Sequence, residues 1–267
     1  MKPTLSTQEL FIRQQKRHIS YIRIIRVLIL LLFLILWEIS ADLGWIDSFI
    51  FSSPSRVAQC FLTMLLQQQL LMHIGITLFE TLASFALVLI TTIVITTCLW
   101  MNHTVSKIMD PYLVVLNSLP KSALAPLLIV WLGGSYKTII LTGMSVAIFG
   151  SILSLYTAFM ETDAEKTKLV QTLGGSKADI LFKVMLPGNI PSLLGIMKVN
   201  IGLCLVGVII GEFIAARVGL GYLIIYGSQV FKLDWVIMSI VILCIIAMCL
   251  YQLLGSLEKW YFKHLQK

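Results

Sequence analysis

Six runs of predominantly apolar residues, each about as long as a helix that crosses a bilayer, dominate this chain. They fall at roughly 24–45, 74–101, 110–132, 137–159, 196–217 and 235–255. In lipid every backbone N–H and C=O must find its partner within the protein, so a run of this kind folds as a helix. The sequence therefore predicts an all-α membrane protein with about six transmembrane helices. Composition points the same way: 58% of the residues are hydrophobic and 12% charged, with a mean hydropathy of +0.93. A soluble domain carries about 25% charged residues. The net charge of +7 sits in short clusters between the apolar runs, which argues against a continuous nucleic-acid-binding face.

Those clusters orient the chain. Lys2, Arg13, Lys16, Arg17, Arg23 and Arg26 precede the first run, within a polar segment 1–23 that lacks a small-x-small cleavage site before or after it. That first run, interrupted near its end by Glu38, reads as an uncleaved span. Lys107 follows the second run, Lys166, Lys168, Lys177 and Lys183 lie in 160–195, and Lys259, Lys263 and Lys267 mark the tail 259–267. The alternate loops hold only Arg56, Lys137 and Lys232, with Arg217 at a span end. Positive residues favour the cytoplasmic side, so both termini are expected there in a multi-pass protein of the cell membrane.

The external connector 46–73 is longer than a turn, and its 54–72 part could lie at the surface as an amphipathic helix. Five cysteines show no CxxC pair, and His18, His73, His103 and His264 have no Cys or Asp at ligand spacing. No metal site is expected. The histidines read as solvated or interfacial, and Trp45, Trp100, Trp131, Trp235 and Trp260 as interface anchors.

One polar stretch, 161–191, is patterned rather than merely hydrophilic. Leu169, Val170 and Leu173 fall at helical spacing, as do Ile180, Leu181 and Val184. Asp163 is placed to cap the first segment, Gly174-Gly175 to turn with positive φ, Ser176 to cap the second segment and Pro187 to stop it. Helix, glycine turn, helix and proline stop make an object with apolar side chains to bury but no lipid around it.

Gly174, nine residues, then Val184-Met185-Leu186-Pro187 resembles the EAA loop of type I ABC importer permeases, whose pattern is Glu-Ala-Ala, three residues, Gly, nine residues, Ile-x-Leu-Pro. The Glu-Ala-Ala positions are here Lys168, Leu169 and Val170, with Glu165 one turn earlier on the same face. Pro120-Lys121-Ser122-Ala123-Leu124-Ala125-Pro126-Leu127 with Trp131-Leu132-Gly133, and Gly219-Leu220-Gly221-Tyr222-Leu223-Ile224, resemble the branch that imports taurine, sulfonates, nitrate and related solutes. The resemblance covers about 50–258 and implies an ABC transmembrane type-1 domain over 69–258.

It also implies two permease copies, two cytoplasmic ATP-binding subunits that hold ATP and Mg, and an external substrate-binding protein. This chain has no GxxxxGK[ST] to cradle phosphates, so no enzymatic role and no cofactor of its own are expected. Segment 164–172 is the candidate coupling helix. Glu165, Lys168, Leu169, Val170, Thr172, Leu173, Gly174, Val184, Leu186 and Pro187 are the candidate ATPase-coupling residues.

Charges within spans are costly, about 2.5–3.5 kcal/mol at the centre. Glu80, Lys121 and Glu212 are therefore candidates for the translocation path or gate. Lys121 lies between Pro120 and Pro126 about 11 residues into its span, where a cation suits an anionic solute. The structural alternative pairs it with Glu80 or Glu212, or lets it snorkel. Lys198, nearer the cytoplasmic end, is expected to snorkel. A rival reading of the whole chain, an ion-coupled secondary transporter without an ATPase, predicts an inverted repeat and leaves 161–191 unexplained.

Overall fold

The computed structural model describes residues 7–67 and 69–265; Lys2, Lys267 and the outermost residues of the expected terminal segments lie outside them. The described elements are helices, and no strand occurs among them. By contact the chain divides into residues 1–63 and 64–267.

In the first unit α1 spans Thr7–Asp42 and contains the apolar stretch Ser20–Asp42. The helix thus begins inside the basic segment rather than at residue 24. It ends in a turn through Gly44 at φ +70°, before the expected end of the span at 45. Two short helices follow, α2 (Ser48–Phe51) and α3 (Pro54–Leu66). Glu38, the charge that interrupts the first run, accepts the Ser55 N–H at 3.0 Å and the Ser55 hydroxyl at 2.6 Å. It holds the first turn of α3, and Arg56 donates to the Ser48 carbonyl at 2.7 Å. The amphipathic helix is real but stops at Leu66 instead of 72.

The second unit is built on three long helices: α4 (Gln69–Met101), α7 (Tyr136–Met160) and α11 (Ile190–Ala215). Small side chains let them approach. α4 turns Thr77, Thr81, Ser84, Val88, Thr92 and Thr96 inward at steps of three or four residues. Gly207 of α11 sits where a Cβ would lie 2.8 Å from the Cα of Gly143 on α7. With no water-driven force between helices in lipid, such close backbone approach supplies the packing. The Ser84 hydroxyl bonds the Ile140 carbonyl at 2.9 Å, so the polar stripe is satisfied within the core.

Between α4 and α7 the expected continuous span 110–132 is instead a broken pair, α5 (His103–Ser118) and α6 (Lys121–Leu132), bent by 96°. Pro120 causes the break: it has no N–H to continue the α5 ladder and it biases Leu119 to extended backbone (ψ 141°). Five helices are long and apolar enough to cross a membrane, and the bent pair makes a sixth span if counted as one.

After α7 come α8 (Ala164–Thr172) and α9 (Lys177–Ile180). The chain then widens to a π-helical turn, Leu181–Met185, and runs through α10 (Leu186–Gly188) toward α11. Pro187 therefore does not stop the second segment. The Leu186 N–H reaches back five residues to the Leu181 carbonyl, and this wider turn accommodates the proline without ending the helical path. The unit closes with α12 (Leu220–Gln229) and α13 (Leu233–Leu265). Lys198 does not snorkel: it pairs with Glu258, tying α11 to α13.

Candidate coupling loop, cavity and helix-end lock

The 161–191 loop is a rigid body. Asp163 accepts the Glu165 N–H at 2.9 Å and opens α8. At its other end the Gly174 N–H bonds the Gln171 carbonyl and the Gly175 N–H bonds the Val170 carbonyl, the paired bonds of a Schellman cap. Gly174 stands at φ +80° in open space, so its requirement is conformational. Gly175 is different: a Cβ there would lie 2.5 Å from Val170 Cγ1.

Ser176 and Asp179 form a reciprocal capping box on α9. The hydrogen bond from Lys183 Nζ, 2.8 Å, and then those from Ser176 hold the Asp179 carboxyl well below the usual carboxylate range. Asn189 donates to Thr162 Oγ1 and to the Met185 carbonyl, both at 2.8 Å, and joins the two ends of the loop.

The loop residues sort into two faces. Ile180, Leu181 and Met185 are buried with Leu155 and Phe159 of α7, and Val170, Val184 and Leu186 pack around them. Leu169 is 60% exposed and Leu173 79% exposed, with Glu165, Lys168 and Thr172 on the same open helix. Pro187 is also exposed.

A cavity of about 490 Å³ opens at the α5–α6 elbow. Asn117 and Lys121 line it from the elbow, Gly150, Ser151 and Ser154 from α7, and Ser192 and Asn200 from α11. Lys121 is the first residue of α6, and no carboxylate pairs with it among the described residues.

The other two charges come together elsewhere. Glu80 and Glu212 are both buried and in mutual hydrogen-bonding contact, an arrangement that forms only when one of the two carboxyls carries a proton. Thr77 donates to Glu212 Oε1, and the Gly221 N–H donates to Oε2 at 2.6 Å. The Leu220 N–H donates to Thr77 Oγ1, and the Gly219 N–H to His73 Nδ1 at 2.9 Å. Three orphan donors at the start of α12 are thus satisfied by side chains of α4 and α11. Gly219 and Gly221 have no room for a Cβ, which would stand 2.4 Å from Glu212 Cδ and 2.8 Å from Glu212 Cβ respectively.

His73 is therefore a cap and not a solvated residue, and it stacks on Tyr222 with ring centroids 6.1 Å apart. Neither it nor Thr77 was singled out by sequence reasoning. Their signal was the spacing His73, Thr77, Glu80, one polar face on an otherwise apolar helix.

A helical bundle locked at one end, open to a polar cavity in its middle, and carrying an apolar-tipped rigid loop at the other end defines a multi-pass membrane transport component. Residues 90–263 match the family described as "Binding-protein-dependent transport system inner membrane component", and the chain belongs to that family. It is 27% identical to a probable ABC transporter permease protein of Haemophilus influenzae, over 86% of this chain and 94% of the relative. It is 28% identical to the riboflavin transport system permease protein RibX of Chloroflexus aurantiacus, over 86% of each. It is also 28% identical to the taurine transport system permease protein TauC of Escherichia coli, over 85% and 84%. Its fold is similar to that of a chain in the inward-facing MetNI methionine ABC transporter, with TM-score 0.59 at 16% identity, covering 74% of this chain and 96% of that one.

Proposed function

We propose that this chain is the membrane-spanning permease subunit of an ATP-driven importer, forming the path for a small solute handed over by an external binding protein. The exposed pair Leu169 and Leu173 carries this reading. Both side chains stand on a doubly capped helix whose base is bolted to the core by Ile180, Leu181 and Met185, so a push on α8 reaches the spans as rigid-body motion.

Two ATP-binding subunits, holding ATP and Mg²⁺, grip α8 from the cytoplasm, and a second copy of the permease completes the pathway. Both termini lie on the cytoplasmic side with the loop. Lys121 lines the path. The Glu80–Glu212 lock closes its external end, and breaking that lock gives the outward-facing state. ATP and its hydrolysis shift the population between the two states by binding each differently. The solute belongs to the range that such permeases serve, with sulfonates, taurine and nitrate as the group the sequence resemblance suggests.

Cross-linking tests the docking. Leu173→Cys, co-expressed with the ATP-binding subunit, is expected to form a specific cross-link to it, and Leu169→Asp with Leu173→Asp to abolish co-purification. Co-purification undiminished by both aspartates would remove the loop from the interface.

A further inference from the structure

The elbow cavity is electrically unbalanced. Its one charged lining residue is Lys121, and no carboxylate lines it. The acids that could have neutralised Lys121 are engaged elsewhere: Glu80 and Glu212 with each other, Glu258 with Lys198 and Asp179 with Lys183. The position makes the imbalance worse. Lys121 is the first residue of α6, where the helix dipole already places partial positive charge and disfavours a cation. Pro120 offers no side-chain cap to offset it.

The neutral polar groups are arranged to donate. Ser151 gives its hydroxyl proton to the Asn200 Oδ1 at 2.8 Å and also approaches the Ala147 carbonyl at 2.6 Å. With its carbonyl oxygen so engaged, Asn200 has its amide N–H groups left for the cavity. Asn117 reaches in because its neighbour on α7 is Gly150, where a Cβ would crowd its Oδ1 at 3.2 Å. The remaining wall is hydrocarbon, from Val146, Ile196, Val199 and Leu203. A volume of about 490 Å³ falls in the range of small-molecule sites, about 300–1,000 Å³.

We propose that this cavity is the transit site for a small organic anion, with a sulfonate or carboxylate head held by Lys121 and Asn200 and an apolar body against the Val146–Ile196 wall. The inference rests on the pathway reading above and narrows it. A cationic solute meets an unscreened ammonium with no counter-charge. An uncharged ring system leaves that ammonium unpaired in a low-dielectric site.

Thiol-reactive probes of opposite charge separate the alternatives. Ser154, exposed in the cavity wall, is replaced by cysteine in the full chain with its native cysteines changed to alanine. Labelling is followed with sulfonatoethyl and trimethylammonioethyl methanethiosulfonate, each normalised to a free thiol. The anionic reagent is expected to react at least about tenfold faster, a difference of about 1.4 kcal/mol in barrier. The ratio should fall toward one in Lys121→Met and return in Lys121→Arg. Pentanesulfonate or pentanoate should slow labelling, the more effective one identifying the preferred head, while pentylammonium and 1-pentanol should not. A ratio at or below one in the Lys121 protein, or equal protection by all four solutes, overturns the anion assignment and leaves the pathway reading standing. A cysteine inert to both reagents overturns both.

Discussion

Thr77 donates to Glu212 across 2.6 Å while accepting the N–H of Leu220 at 2.9 Å. One hydroxyl therefore couples a buried acid on α11 to the first turn of α12 from its place on α4, and three helices meet on a single oxygen. Thr77→Val keeps the shape and deletes both bonds. Its unfolding free energy is expected to fall by about 1–3 kcal/mol, the cost of stranding buried polar groups. Glu80→Gln should cost less than Glu80→Ala, because the amide can donate to Glu212 without needing a proton. Thermal unfolding of the purified protein checks both orders.

Glycine positions in the loop separate conformational strain from crowding. Gly174→Val forces a branched side chain into positive φ and should cost about 1–2 kcal/mol, whereas Gly174→Asn, tolerant of that region, should cost less. Gly175→Ala should instead displace Val170 from its contact. Amide exchange in 164–176 reads the difference: Gly174→Val frays the end of α8, and Gly175→Ala exposes the Val170 side of it.

The Lys198–Glu258 pair is partly buried, with 19% and 25% of the side chains exposed. Lys198→Met alone leaves a carboxylate without its partner and should lower stability by about 1.5–3 kcal/mol. Lys198→Met with Glu258→Leu should recover part of that loss, because removing both charges of a buried pair is tolerated better than removing one. A double-mutant cycle on the melting temperature gives the coupling.

Acid should leave the α9 cap intact until low pH. Asp179 has a depressed carboxyl pKa, so its contribution is fully present above the ordinary aspartate value of about 3.9 and is lost only as pH falls through the lower folded value. Amide protection in 176–185 is expected to be the same at pH 7 and pH 5 in the natural sequence, and to be reduced at both in Asp179→Ala.

How much of this was legible depended on whether a feature was local. The Asp163 cap, the positive φ of Gly174 and the Ser176 cap each follow from a few neighbouring residues, and each was readable. Pro187 was misread because a π turn offers the chain a way past a proline that composition does not show. The break at Pro120 was visible as a residue but not as a 96° bend, since the angle depends on how α6 packs against α7 and α11. The Glu80–Glu212 contact joins positions 132 residues apart, and no spacing rule connects them. Lys121 was rightly distinguished from Lys198 by its surroundings, yet only the fold shows that Lys198 has an acid beside it and Lys121 has none.

The central claim is that ATP drives this chain through a partner gripping the loop, and reconstituted uptake tests it most directly. Proteoliposomes holding the permease, its ATP-binding subunits and the external binding protein loaded with its own solute are compared with vesicles holding the permease alone. Uptake is expected only in the complete system with Mg-ATP, and is expected to be lost when Leu169 and Leu173 are both aspartate. Full-rate uptake by the permease alone, driven by an imposed proton or sodium gradient, would contradict the account.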